Sequence, residues 1–593
     1  MDKVRKRWRL LAFVLLTASC PLAGMARAEE ALDAIPDQAA VVARIASLDK
    51  LAGGFKELAA NLGPLGLIAG PGFENGLNRQ VFQLGGDVQG VDRSAPAYIV
   101  LFPLDNEREP AAWLVRATDE TKLRRAVLHA GAEETLTPEK RDDGFEKLVK
   151  NDRTWYFGRF GEWTLYTSNE TVVKLLAFDR GQTKTFASLV EPRAKEMLES
   201  GDGAVIVNAA MLIEKYGDKL AEARDRALRQ IDSLPDENLG GGTGNSNPKA
   251  TKKLYSTLAG MGFDVLKDAK WFAGRVNFTA AGVELGGMLG VKESSGAAKL
   301  LAAHPPSALE HLGLLPAGAM AYFGYQFDYR ETSKLTREFN QLAYGDDSPN
   351  TQKLNAASEL KAEAGPGAIV GSFSFLAGGG ISISSLQQAE QPEKLNAAEG
   401  QIQQATEAKT PGYDQSAEFR AGAETYQGRP VDLLTTRFAF KDTADQGQQI
   451  GQKMIQKIFG GTSLETRMTA IEGLAVHAGG NDPKYLQQTV EALSSGEGVL
   501  GLDDAFAKTR DHLGDEANLL ILLNVPRLVV DIVGLIRDIP PFDMLLAQAP
   551  FNFGVQPAIS YAGIAIAAQP QALRVQLYIP VEQPKGVLQI FGR

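Results

Sequence analysis

A chain that repeats itself is constrained to fold as repeated units, and this one carries four matches between its halves, in the same order. Residues 204–213 read AVIVNAAMLI and residues 521–530 read ILLNVPRLVV. Each is an apolar run ending in an asparagine, Asn208 or Asn524, followed by amphipathic helical spacing. Phe272-Ala273-Gly274 opens FAGRVNFTAAGVELGGMLGV, and Tyr561-Ala562-Gly563 opens YAGIAIAAQPQALRVQLYIPV. Both read as a strand, a short turn and a second strand. Ile35-Pro36 leads into AAVVARIASLDKL, as Leu315-Pro316 leads into AMAYFGYQFDYRETSKL. Asn169-Glu170-Thr171 and Asn481-Asp482-Pro483 each follow a strand and open a helix. The offsets run from about 280 to 316 residues. The reading is a tandem duplication: residues 29–305 and 306–593, with sub-units of about 29–190, 191–305, 306–500 and 501–593.

The expected fold class is α+β, two tandem copies of an antiparallel sheet with helices packed on one face. Val41, Ala43 and Ile45 alternate with Val42 and Arg44, the period of a strand. Ala97–Phe102, Trp113–Arg116, Thr154–Phe160 and Trp163–Thr167 are short and β-rich. Leu212, Tyr216, Leu220, Ala223, Ala227 and Ile231 recur at helical spacing. Short turns at Ala280-Ala281 and Gln569-Pro570 imply antiparallel neighbours. The Gly/Asn/Pro-rich stretch 234–250 and the stretch 344–352 read as surface loops.

The first 28 residues read as a secretory signal. Lys3, Arg5, Lys6, Arg7 and Arg9 precede the apolar Leu10–Leu16, and Ala26-Arg27-Ala28 offers a cleavage site after Ala28. The rival reading makes Thr17-Ala18-Ser19-Cys20 a lipoprotein box with Cys20 acylated. Residues 519–536 are interrupted by Arg527 and Asp531, so they fit a buried strand and an amphipathic helix rather than a membrane span. Cys20 is the single cysteine, so the processed chain lacks disulfides and thiolate chemistry. The expected location is periplasmic or otherwise extracytoplasmic. Removing the signal's six basic and one acidic residues takes the formal charge from −10 to −15, which disfavours nucleic acid as a partner.

No catalytic, cofactor-binding or metal-ligating residue is assigned. His129, His304, His311, His477 and His512 lack metal spacing, and His477 in LAVHAGG reads as a hydrogen-bonded structural histidine. Gly496-Glu497-Gly498-Val499-Leu500-Gly501 spells a dinucleotide fingerprint, but it follows a helix and sets Glu497 against a phosphate. It reads as a helix stop before a new helix capped by Asp503. Ser47-Leu48-Asp49-Lys50 matches SxxK without its companion motifs, so Ser47 reads as a helix cap. The acid pairs Asp142-Asp143, Asp346-Asp347 and Asp503-Asp504 point apart and read as turns and caps. Trp155, Tyr156, Phe157, Phe160, Trp163 and Tyr166 lie on two consecutive strands, so alternate members would offer an aromatic surface if one face is open.

The signal, the pattern from Ile35 to Lys50, and the capped helices feeding apolar strands (Ser188 to Val207, Asp503 to Leu523) resemble a family of uncharacterised exported bacterial proteins built of repeated sheet-and-helix modules. The resemblance implies export and fold, and carries no functional residues. The expected role is a non-enzymatic envelope binding or scaffolding module, with an envelope protein, a glycan or a lipid as partner. A carboxylate-dependent hydrolase and a carrier of an apolar ligand are the alternatives.

Overall fold

The computed structural model describes residues 31–592, apart from 64–65, 67–71, 74–75, 77–81, 83–89, 105–109, 132, 178–183, 236–247, 346–347, 377, 407, 410–411, 444, 549–550 and 553–554. The signal, Cys20, most of the 234–250 loop and Asp346-Asp347 lie outside the described residues. The chain is α+β and divides into two compact units. One holds the described residues up to Leu220 with 267–298 and 571–576, and the other holds 221–266, 299–570 and 577–593.

The strands of the first unit are β1 (Val41–Ile45), β2 (Ala97–Leu101), β3 (Ala111–Arg116), β4 (Glu139–Lys140), β5 (Glu146–Lys150), β6 (Arg153–Phe160), β7 (Trp163–Thr167), β8 (Gly203–Val207), β9 (Ala269–Thr279) and β10 (Gly282–Val291). They pair antiparallel in the order β10-β9-β8-β1-β2-β3-β7-β6-β5-β4. Its helices are α1 (Leu48–Asn61), α2 (Glu120–Leu128), α3 (Glu170–Leu176) and α4 (Pro192–Glu199); α5 (Ala209–Asp232) and α7 (Gly296–Ala303) begin in this unit and end in the second, and α6 (Pro248–Asp268) belongs to the second but for its last two residues.

The sheet in this unit is covered on both faces, which corrects the expectation of helices on one face. Val42, Val100, Trp163 and Ile206 enter one buried cluster with Val172 and Val173 of α3 and Leu198 of α4. Their alternates Val41, Ala43, Ile45, Ile99 and Val205 enter another with Leu48 and Leu51 of α1 and Leu123 and Val127 of α2. The polar member of β1 is buried as well. Arg44, 3% exposed, donates its Nη1 to the carbonyls of Leu198, Glu199 and Gly201 at 3.1, 3.1 and 3.2 Å, satisfying the C-terminal end of α4.

The second unit contains β11 (Ala321–Tyr325), β12 (Pro366–Phe375), β13 (Ile381–Ala389), β14 (Ala408–Lys409), β15 (Tyr413–Tyr426), β16 (Arg429–Phe440), β17 (Ser463–Ile471), β18 (Leu474–Gly479), β19 (Leu519–Leu523) and β20 (Ala562–Gln569), and β21 (Ala572–Pro580) is divided between the two. Antiparallel pairing runs β20-β19-β11-β12-β13-β18-β17-β16-β15-β14. Its helices are α8 (Tyr329–Tyr344), α9 (Pro349–Glu363), α10 (Pro392–Ala405), α11 (Gln446–Phe459), α12 (Lys484–Ser495), α13 (Asp504–Leu513), α14 (Val525–Ile536), α15 (Phe542–Gln548) and α16 (Glu582–Ile590). Helix α9 takes Pro349 onward from the predicted 344–352 loop, because Ser348 accepts from the Asn350 N–H at 3.3 Å and Pro349 suits a first turn.

One face of this second sheet is tightly filled: Tyr322, Val370, Leu386, Leu520 and Leu522 pack with Leu486 and Val490 of α12 and Leu513 of α13. The other face is filled only in part. Helix α10 packs on β13, β15, β17 and β18, α9 packs on α10, and α8 packs on α9. Among the described residues, no helix packs closely on that face of β11, β19 and β20.

Candidate functional site

The uncovered face is set by register. Cross-strand partners point to the same side of a sheet, so Phe323 of β11 stands between Ile521 of β19 and Gly371 of β12, and Ile521 faces Ile564 of β20. The row on one side runs Ile566, Leu519, Tyr325, Ile369, and the row on the other side pairs Leu523, Ala321 and Phe373. Four strands about 4.8 Å apart and three rows about 7 Å apart make an apolar area of about 14 by 14 Å. Ile521 is 40% and Tyr325 38% exposed, and Phe327 just past β11 is 46% exposed. Phe323, Ile369, Phe373, Leu519, Leu523, Ile564 and Ile566 are half-buried. Phe327 leans on Tyr325 with ring centroids 5.9 Å apart. Gly371 keeps the array open for Phe323, since a methyl at Gly371 would lie 2.3 Å from that ring.

A polar border closes the array on the β13–β18 side. Ser385 of β13 lies opposite His477 of β18, and the His477 Nε2 is 2.8 Å from the Asn396 Oδ1 on α10. Lys361 of α9 forms an ion pair with Glu399 of α10, and its Nζ stands 5.0 Å from the Tyr329 ring centroid. Burial works against the charge on Lys361, but Glu399 more than offsets it and holds the amine above its ordinary pKa. Burial pushes the His477 imidazole below its ordinary value, and burial pushes the Tyr325 phenol up. His477 is thus a hydrogen-bonded residue of a helix–sheet junction.

The remaining sequence candidates fall in structural places. Ser47 accepts from the Lys50 N–H at 3.2 Å, as a cap of α1. Gly496 ends α12 in the left-handed conformation at φ 69°, and Asp503 accepts from the Ala505 N–H at 2.7 Å to start α13. His129 ends α2 in the left-handed conformation, the His304 Nδ1 accepts from the Asp328 N–H at 3.3 Å, and His512 stacks on Tyr578 with centroids 3.9 Å apart. Among the described residues, no three His, Cys, Asp or Glu side chains converge as metal ligands.

The aromatic surface expected on β6 and β7 is overturned. Trp155, Phe157 and Tyr166 enter one core cluster, and Tyr156 and Trp163 the other, because both faces of this sheet are covered. Trp113 and Tyr166 stack at 5.4 Å inside it.

A separate depression of about 390 Å³ in the first unit is lined by Asp143, Phe145, Gly158, Phe160 and Leu176, among others. Its carboxylate is tied up: Arg141 pairs with Asp143 at 2.8 Å and with Glu170 at 3.3 Å, and this guanidinium holds Asp143 below the ordinary carboxylate range. Elsewhere burial raises the Asp531 pKa against the pull of Arg527, 3.3 Å away. An acid poised for glycoside-type hydrolysis needs a raised pKa and a second carboxylate across a cleft, and neither place combines the two.

No protein-family model matches the sequence, and no curated protein does. Two solved structures are similar, crystal forms III and IV of TP0453. Each has 10% identity and a TM-score of 0.20; they cover 47% and 50% of this chain, and 96% and 99% of their own.

Proposed function

We propose that this chain is an exported, non-enzymatic binding protein, built of two tandem copies of one α+β unit (29–305 and 306–593), which holds an apolar ligand of the acyl-chain class on the open sheet face of its second unit. The observation that carries the ligand is that face: three rows of uncharged side chains, half-shielded, with no helix among the described residues packed closely on that side of β11, β19 and β20. Recessed side chains favour a slender chain over the flat surface of a protein. An area of about 200 Å² is worth roughly 5 kcal/mol at about 25 cal/mol per Å², which corresponds to a Kd of about 0.2 mM before ordering costs and to weaker, millimolar-range binding after them.

Duplication is supported by matching joints as well as matching strand order. The Phe186 N–H donates to the Ile35 carbonyl, and the Leu500 N–H to the Leu315 carbonyl, both at 2.8 Å. Asn208 donates its N–H to Ala40 at 2.8 Å and accepts from Met211 at 3.1 Å; Asn524 does the same with Met320 and Arg527. Isolated bridges join Pro36 to Thr185 and Pro316 to Val499. Register puts Trp271 at the place of Tyr561, so the FAG–YAG match of the sequences is one residue out.

Titration of lipid-stripped protein with a fluorescent polyene fatty acid tests the ligand. Saturable binding, weakened at least ten-fold by Ile521→Glu and unchanged by Val149→Glu on the exposed surface of the first unit, is the expected result. Absence of binding, or equal binding by both variants, would remove the reading.

A further inference from the structure

The connections between β8 and β9 and between β19 and β20 each leave the sheet as helices and then return. They also carry most of the large apolar side chains that stand exposed among the described residues. In the first connection Tyr255, Leu258, Met261 and Leu266 of α6 are 45%, 50%, 41% and 48% exposed. In the second, Ile532 of α14, Met544 of α15 and Ile559 are 40%, 65% and 56% exposed. A side chain added at Gly260 or Gly262 on α6, or at Gly534 on α14, would touch nothing within 4 Å. These helices are amphipathic by sequence, yet no side chain of α5 is fully buried, and only Met211 and Leu212 in its first turn pack against the core.

We infer that α6 is a docking element for an anionic lipid bilayer, lying in the interface with its Tyr255–Leu266 stripe in the acyl region. Three features of the helix favour this occupant. Its sequence holds four lysines against two aspartates, in a chain whose processed form carries −15. At 3.6 residues per turn, Lys252 falls about 40° from Leu266 on one border of the stripe and Lys267 about 100° from it, while Asp268 falls beside Met261 on the other, so the basic flank lies on one side of the stripe. And the area is wrong for a second copy of the chain: four side chains on one helix offer a few hundred Å², short of the roughly 800 Å² per partner of a standard interface. The 21 residues of α6 are long enough to cross a bilayer, but the four lysines and two aspartates among them do not suit its interior, so the stripe lies along a membrane surface instead of crossing it. No described helix is long and apolar enough to span one.

The inference extends the ligand reading, because an acyl chain held on the sheet has to be taken from a bilayer or returned to one, but it does not depend on it. The test is flotation of the full processed chain with two vesicle preparations, phosphatidylcholine alone and phosphatidylcholine with a quarter phosphatidylglycerol. The expected result is binding to the anionic vesicles, weakened by added salt and reduced at least five-fold in the Leu258→Glu/Leu266→Glu double variant. Both positions are exposed, so that variant keeps its circular dichroism and unfolding midpoint, and it keeps its affinity for the polyene fatty acid in solution. Protein that stays at the bottom of the gradient, equal binding to both vesicle types, or equal flotation of the double variant overturns the proposal. So does a dimer in light scattering that the double variant dissolves, which assigns the stripe to a second copy. Vesicle binding by a protein that takes up no fatty acid leaves this inference standing and removes the previous one.

Discussion

Val205 in the first unit and Ile521 in the second occupy the same place, each on the strand that pairs with the middle of β1 or β11. Val205 is 4% exposed and Ile521 is 40%. The neighbouring positions differ in the same sense: Ile45 is 3% exposed and Tyr325 38%. Strand order and register are alike, so neither explains the difference. What differs is the cover. In the first unit Leu48 and Leu51 of α1, Leu123 and Val127 of α2, and Phe82 close over the face, while beside it Phe55 stacks on Phe73 at 4.1 Å and both meet Phe278 edge-on at 5.6 and 6.2 Å. In the second unit α8 packs on α9, and among the described residues no helix packs closely on that face of the equivalent strands. A sheet face thus becomes core or site according to what stands over it.

Substitutions at paired positions break or sharpen this contrast. The largest effect is expected from Val205→Glu, which puts a carboxylate into a closed apolar cluster and costs about 3 kcal/mol or more; Ile521→Glu, at a wet position, costs under about 1 kcal/mol. Chemical unfolding followed by tryptophan fluorescence checks this, and similar losses for the two would erase the distinction. Next comes Arg44→Met. It leaves three carbonyls at the end of α4 without their donor and should cost about 2 kcal/mol. The equivalent position in the second unit is Gly324, where a methyl would lie 2.9 Å from Leu309. Gly324→Ala should therefore also destabilise, by about 1 kcal/mol, through steric crowding instead of lost hydrogen bonds. Equal urea midpoints for wild type and either variant would contradict the assignment.

The smallest effect is a pH dependence confined to the second unit. Folding keeps His477 neutral, with its pKa below the ordinary 6.5. Its contribution is therefore complete above that value and is lost as pH falls below it toward the folded pKa. Within that window the slope is at most about 1.4 kcal/mol per pH unit. His477→Gln should flatten the slope of stability against pH below about 6.5. An unchanged slope would mean that other groups carry it.

Local features were legible because they rest on neighbouring residues. Ser47 and Asp503 cap the helices they were expected to cap, and the strand at Trp163–Thr167 ends where its composition ends. The run LLILL at 519–523 misled for a physical reason: apolar side chains on both faces read as a strand covered on both, yet Ile521 faces solvent. The aromatic run on β6 and β7 misled in the opposite direction, since both of its faces are closed. His477 was legible as a hydrogen-bonded residue, but its partner Asn396 is 81 positions away and has no signature of its own.

The sequence by itself determined the α+β class, the turns and caps, and the alternation that assigns each side chain to a face, because backbone propensity and side-chain period act over a few residues. Only the tertiary structure decided which faces are closed. That depends on where helices distant in the chain come to rest, and the same alternating strand supplies either a packed core or an open apolar face.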